Sequence, residues 1–128
     1  MKILGVIARV LLGFSFFVFG LNGFLHFIKA PMPTGLAGQF AGAMFGSSFH
    51  YLVFSVQFIA GVLLLTNRYV ALAVVLLGAV IANILMFHIA MQPAGVAPGV
   101  VMFLLWCVVA YRVRSQLGAL FASKPESV

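Results

Sequence analysis

Acidic residues are almost absent from this chain of 128 residues, which has one Asp or Glu, Glu126, against seven Lys and Arg. Charged residues make up 6% of the chain, whereas soluble domains average about 25%. So few charges cannot cover a soluble surface, and the lack of acids gives little support to a proton relay through carboxylates within a membrane. With 65% hydrophobic residues, the composition predicts an integral membrane protein.

Cysteine is equally scarce, because Cys107 is the only one. The chain therefore has no internal disulfide and no Cys-x-x-Cys pair, which argues against a self-contained thiol–disulfide enzyme. A cleaved signal peptide is also disfavoured. The first apolar run continues from Val10 to Ile28, too long for a signal-peptide core, and no small-x-small cleavage site follows it.

Long apolar runs predict an all-α membrane protein, a four-transmembrane-helix bundle with a short extra interfacial helix between spans one and two. The third run, Val70 to Ala90, covers about 31 Å as a helix, enough to cross a bilayer. The short helix, Gly35 to Gly46, covers about 18 Å and is predicted to pack through its glycines after a cap at Thr34. The predicted spans are Ile3 or Val10 to Ile28, Phe49 to Leu65, Val70 to Ala90 and Gly99 to Tyr111. Residues 1–114 form the predicted transmembrane domain, and 115–128 a cytoplasmic tail.

Basic residues are distributed unevenly between the two sides of this bundle. Six lie on one side, and Lys29 alone lies on the other. This asymmetry predicts a multi-pass protein of the bacterial cytoplasmic (inner) membrane with both termini in the cytoplasm. The basic residues lie at the ends of apolar runs, so they give no indication of nucleic-acid binding. The side chain of Arg9 is expected to extend to the lipid headgroups. The six residues are Lys2, Arg9, Arg68, Arg112, Arg114 and Lys124.

The same topology brings all three histidines to the outer side, with amide side chains one to two turns deeper. The predicted ligand pocket comprises His88, Asn83, Asn22, His26 and Gln57, above an apolar inner half. Polar groups at membrane depth are costly unless partnered, so they are the first candidates for function. The ordinary alternative is that the histidines, including His50, are interfacial residues and that the amides join helices by hydrogen bonds.

Three ligand chemistries fit such a pocket. His88 with Asn83 or Gln57 could hydrogen-bond a quinone carbonyl. Histidines from different helices could bind a metal or haem iron, but no His-x-x-x-His spacing is present, so no metal site is predicted and haem is less favoured than quinone. The pocket could also hold a small substrate for transport. No catalytic residue is predicted.

Several segments, in order along the chain, resemble the DoxX-like family of small four-span membrane proteins. The most specific is Asn83-Ile-Leu-Met-Phe-His88, which is similar to the Asn-Ile-x-x-Phe-His signature of one branch. The others are Arg9-Val-Leu-Leu-Gly13, Phe19-Gly-Leu-Asn-Gly23, Gly61-Val-Leu-Leu-Leu-Thr-Asn-Arg-Tyr69, Pro93-Ala-Gly95 with Pro98, and Tyr111-Arg112. The resemblance covers roughly residues 7–114, with one departure, because Gln57 stands where family members often have an acid.

The resemblance implies a four-helix membrane bundle and an association with redox chemistry, since some relatives are linked to thiosulfate–quinone oxidoreduction and others to oxidoreductase assemblies that counter oxidative stress. The leading hypothesis is a noncatalytic accessory or anchoring subunit of a larger membrane redox or energy-converting complex. It would contact the lipid bilayer and other membrane subunits, and would not be an enzyme on its own. The alternatives are a quinone-linked oxidoreductase component and a small-molecule carrier.

Overall fold

The computed structural model describes residues 2–125, and every regular element in this part of the chain is a helix. The last residues of the predicted tail, 126–128 with Glu126, lie outside the described residues. Two short 3-10 turns, Pro93–Gly95 and Ala119–Phe121, flank the later helices. The α-helices are α1 (Lys2–Leu25), α2 (Gly35–Gly46), α3 (Phe49–Leu65), α4 (Val70–Met91), α5 (Val96–Arg112) and α6 (Arg114–Gly118).

Four of these helices pack as an antiparallel bundle in which α1 contacts α3 and α5, and α4 contacts the same two helices. Three stretches are long and apolar enough to cross a membrane: Lys2–Leu25, Val70–Met91 and Pro93–Arg112. A fourth candidate is the pair α2 and α3, which meet at a bend of 85°. These helices are compatible with a multi-pass membrane protein, as the composition predicts.

The buried core lies at one end of the bundle, which we call the core end. Its residues come from the first two thirds of α1 and α4 and from the last halves of α3 and α5. We call the opposite end, where α1 and α4 end and α3 and α5 begin, the histidine end. The core residues are Ala8, Leu12, Phe16, Ala60, Leu64, Ala73, Val74, Leu77, Ile81 and Val109.

Glycines let α1 and α3 approach to backbone contact. A Cβ at Gly20 would lie 2.5 Å from the backbone nitrogen of Phe58, and one at Gly61 would lie 2.5 Å from the backbone nitrogen of Phe17. Small residues allow this close approach in membrane helices, where it replaces hydrophobic burial as a source of stability. Ser15, another small residue of α1, instead bonds its own helix at the carbonyl of Leu11.

A tryptophan joins α4 to α5. The indole Nε1 of Trp106 donates a hydrogen bond of 2.8 Å to the carbonyl oxygen of Val74. Its ring lies over Gly78, where a Cβ would be 3.2 Å from the ring carbon Cζ2. Gly78 thus provides the space that brings the indole within hydrogen-bonding distance of the α4 backbone.

The bounds predicted for α2 are confirmed, but the prediction that it packs through its glycines is wrong for Gly42 and Gly46; only Gly38 makes a close contact, with the carbonyl of Pro33. Its buried residues are Ala37 and Ala41, whereas nothing lies within 4 Å of a Cβ built on Gly42 or Gly46. The alanine edge faces α3 and α4, which turns these glycines outward. Thr34 occupies the N-cap position but makes no side-chain capping bond.

Two span ends differ from the sequence-based bounds. Helix α1 stops at Leu25 rather than Ile28, because His26 adopts a left-handed conformation with φ of 54°. Helix α5 begins at Val96 rather than Gly99, because Pro98 is tolerated in a first helical turn, where its missing N–H is not needed.

Arg9 connects two helices. Its guanidinium donates a hydrogen bond to the carbonyl of Leu64 in the last turn of α3. Cations stabilise the negative end of a helix dipole, so Arg9 ties α1 to the end of α3.

Candidate functional site

His50 is the most enclosed polar residue at the histidine end, with 5% of its surface exposed. Its Nδ1 lies 2.8 Å from the carbonyl oxygen of Ser47 and 3.3 Å from that of Met44. Carbonyl oxygens only accept, so Nδ1 carries the hydrogen and Nε2 of the neutral ring keeps a free lone pair. The turn between α2 and α3 therefore fixes the tautomer of His50.

Aromatic rings surround His50 on several sides. The centroid of its ring lies 4.1 Å from that of Tyr51, 5.4 Å from that of Phe45 and 6.3 Å from that of Phe54. The ring of His26, from the end of α1, lies 6.4 Å away. These rings form a largely apolar environment around an imidazole that retains one available nitrogen.

Asn22 holds the turn that presents His26. The backbone N–H of His26 donates to the carbonyl of Asn22 at 2.8 Å, and the side-chain Oδ1 of Asn22 accepts from the N–H of Ile28 at 2.7 Å. His26 is exposed and lies beyond the end of α1, so the two residues do not share a helix face as the spacing suggested. Asn22 stabilises the local backbone that carries His26.

Gln57 lies on the same buried face of α3 as His50, two turns deeper, and is 6% exposed. It takes part in none of the side-chain hydrogen bonds found among residues 2–125. No fully enclosed side-chain nitrogen or oxygen in that part of the chain lacks a partner. The amide of Gln57 therefore still reaches accessible space.

The remaining two predicted residues bond their own helix, α4. Asn83 is exposed, and its Nδ2 donates to the carbonyl of Ala79 at 2.8 Å. His88 is half-buried, and its Nδ1 donates to the carbonyl of Ile84 at 2.9 Å. Its ring fits against Gly95, where a Cβ would lie 3.0 Å from the ring carbon Cδ2.

The structure thus brings together only part of the predicted pocket. His26 lies next to His50, Asn22 bonds the turn that carries His26, and Gln57 follows on the same α3 face as His50, whereas Asn83 is turned to the outside. The His50 ring neighbours His26, but the ring that neighbours His88 is Phe87. Within residues 2–125, no three His, Cys, Asp or Glu side chains are grouped as a metal site.

Two cavities occur elsewhere, and none of the five predicted residues lines them. One of about 510 Å³ lies at the core end, and one of about 290 Å³ lies between the outer faces of α1 and α3. The first is lined by Asn67, Tyr69, Val70, Ala71, Leu72, Val113 and Gln116, and the second by Leu21, Phe24, Ser55, Phe58 and Ile59.

His50 is the residue that the predicted pocket omitted. Its position at the start of a span indicated an interfacial side chain, yet α2 folds back over it and buries it. The spacing of seven residues to Gln57 was the available signal, because it places both side chains on one helix face.

The chain matches no family model, no curated protein and no solved structure.

Proposed function

We propose that this chain is a four-span protein of the bacterial inner membrane, with both termini in the cytoplasm, that serves as a noncatalytic accessory or anchoring subunit of a larger membrane redox or energy-converting complex. The supporting observation is that five polar side chains of the spans and their ends bond the backbone of their own helix. Such bonds remove the cost of polar groups in lipid without forming a shared site. The pairs are Ser15 with Leu11, Ser55 with Tyr51, Thr66 with Val62, Asn83 with Ala79, and His88 with Ile84.

The four-span arrangement rests on helix length and the antiparallel packing. Helix α3 has 17 residues and covers about 26 Å, close to the hydrocarbon thickness of a bilayer. The bend of 85° directs α2 across the end of α3, as expected for a helix in the membrane interface. The core end then carries most of the basic residues and faces the cytoplasm under the positive-inside rule.

Membership of the DoxX-like family is part of this proposal. It rests on the ordered motifs of the sequence, of which Asn83 to His88 is the most specific. The family's link to redox assemblies suggests the kind of complex, and fold-level likeness alone does not assign an activity.

Helix α2 offers a surface for a partner subunit. Gly42 and Gly46 face open space on one side of the helix, and Leu36, on another side, is 67% exposed. Small residues at intervals of four allow a second helix to approach closely in a membrane. We assign this surface to an apolar transmembrane helix of a larger subunit.

Purification in mild detergent from native membranes, followed by mass spectrometry of all bound proteins, tests the proposal. We expect larger membrane subunits to accompany the wild-type chain and to be lost from Gly42→Leu. Gly118→Leu is the matched control, since nothing lies within 4 Å of a Cβ at Gly118 either, and it should keep them. A wild-type chain that purifies alone contradicts the accessory role.

The quinone-linked component is the second candidate, and the buried pair His50 and Gln57 supports it. A neutral His50 with its hydrogen on Nδ1 offers Nε2 as an acceptor, which suits the hydroxyl of a reduced quinol better than a quinone carbonyl. The Gln57 amide offers both donors and an acceptor. Solvent extraction of the purified protein tests this, because a quinone site predicts a stoichiometric quinone that Gln57→Leu loses while assembly persists.

The carrier hypothesis stays a prediction with its own assay. It requires solute uptake by liposomes that contain this chain alone, which neither an accessory subunit nor a quinone component would produce.

A further inference from the structure

His26 and His50 form a pair of imidazoles from different helices at the histidine end, with ring centroids 6.4 Å apart and planes inclined by 47°. In protein metal sites, a ligating histidine almost always donates its other ring N–H to a carbonyl, a carboxylate or water. His50 does so towards Ser47, which leaves Nε2 available. We propose that His26 and His50 bind one monovalent copper ion between their rings.

The backbone conformation of His26 is held by hydrogen bonds that need no metal. Its φ of 54° is uncommon for a residue with a side chain, and the Asn22 carbonyl and side chain hold the turn from residue 26 to 28. Backbone outliers that the surroundings stabilise concentrate at binding sites. Both ligands are thus positioned by bonds to backbone groups rather than by the metal.

The distance between the ring centroids agrees with one coordination geometry, in which a nitrogen of each ring faces the ion. A ring nitrogen lies about 1.1 Å from its centroid and about 2.0 Å from a bound metal, so two rings on one ion are about 6.2 Å apart when linear and about 5.1 Å apart when tetrahedral. The observed 6.4 Å is close to the linear value. Linear coordination by two ligands is typical of monovalent copper, whereas zinc takes four ligands.

The local charge also favours a monovalent ion. The sequence has no acid before Glu126, so no carboxylate belongs to the helices around these histidines. A divalent ion without an anionic ligand has a high desolvation cost in an apolar site. Imidazole nitrogen is a suitable ligand for copper, and the rings of Tyr51, Phe45 and Phe54 lie around the His50 side of the site.

The site does not depend on the accessory role, because it needs only residues of this chain. The test is anaerobic titration of the purified, detergent-solubilised full chain with monovalent copper, in competition with a coloured copper chelator. We expect one ion per wild-type chain, and binding weakened more than about 100-fold in His26→Ala and in His50→Ala. Circular dichroism without metal confirms that both variants remain folded, and the exposed His26 provides a variant that leaves the interior unchanged.

His88→Ala is the matched control. His88 has the same Nδ1 bond to a carbonyl, but its neighbouring ring is Phe87 rather than a histidine, so the control should bind copper as the wild type does. X-ray absorption should show two nitrogen ligands and no sulfur. Equal binding by the wild type and both histidine variants, sulfur ligation by methionine, or preference for Zn²⁺ over monovalent copper would each overturn the proposal.

Discussion

Replacing Gly61 with alanine tests the close approach of α1 and α3. The added Cβ would lie 2.5 Å from the backbone nitrogen of Phe17 and 2.9 Å from the carbonyl oxygen of Gly13. Both atoms belong to the backbone, so no side-chain rotation can relieve the contact, and the helices must separate by about 1 Å.

The expected cost follows from two opposing contributions. Overpacking of this kind costs about 1–3 kcal/mol, and alanine is favoured over glycine within a helix by about 1 kcal/mol. The two contributions leave a net loss of up to about 2 kcal/mol, so we expect Gly61→Ala to lower the free energy of unfolding within that range.

Reversible unfolding by SDS in mixed micelles, followed by circular dichroism, measures this change. Gly42→Ala is the control, because the same substitution on α2 meets nothing within 4 Å. It should leave the stability unchanged or raise it by up to about 1 kcal/mol. If Gly61→Ala is as stable as Gly42→Ala, the glycine-mediated contact between α1 and α3 is refuted.

Three further substitutions have expected outcomes in the same assay. Trp106→Phe keeps one aromatic ring but loses the pyrrole ring and its N–H bond to the Val74 carbonyl, so it should lower the free energy of unfolding by at least about 1 kcal/mol; no change would show that the bond is unimportant. Gln57→Leu should raise the free energy of unfolding by up to about 1 kcal/mol, because the side chain is largely buried and its amide, which reaches accessible space, makes no hydrogen bond within residues 2–125; a loss would reveal an unrecognised partner. Asn22→Ala should lower the free energy of unfolding by about 1 kcal/mol, because the N–H of Ile28 loses its acceptor. The same substitution should weaken copper binding through His26. Unchanged copper affinity would mean that the turn does not position the His26 ring.

The bounds of α3 and the start of α4 could be predicted because the polar residues Thr66 to Tyr69 interrupt two apolar runs. The end of α1 could not, because it depends on the left-handed backbone of His26, whereas the sequence pattern pointed to the later prolines. The short helix α2 was predicted with its bounds, but which edge it buries depends on contacts with α3 and α4.

The candidate site was less predictable than the fold, for a physical reason. In helices that are apolar on every side, the pattern does not fix the rotation of each helix about its axis. Asn83 therefore turned out to be exposed, whereas His50 and Gln57 are buried. Burial of His50 further depends on the fold-back of α2, which no local signal in α3 indicates.

Mass spectrometry and an absorption spectrum of the protein purified in mild detergent from its native membrane test the central claim most directly. An accessory subunit predicts that larger redox subunits remain bound and that the chain itself holds no stoichiometric quinone or haem. A chain that arrives alone with about one quinone or haem per copy contradicts that role and identifies the histidine end as a redox site.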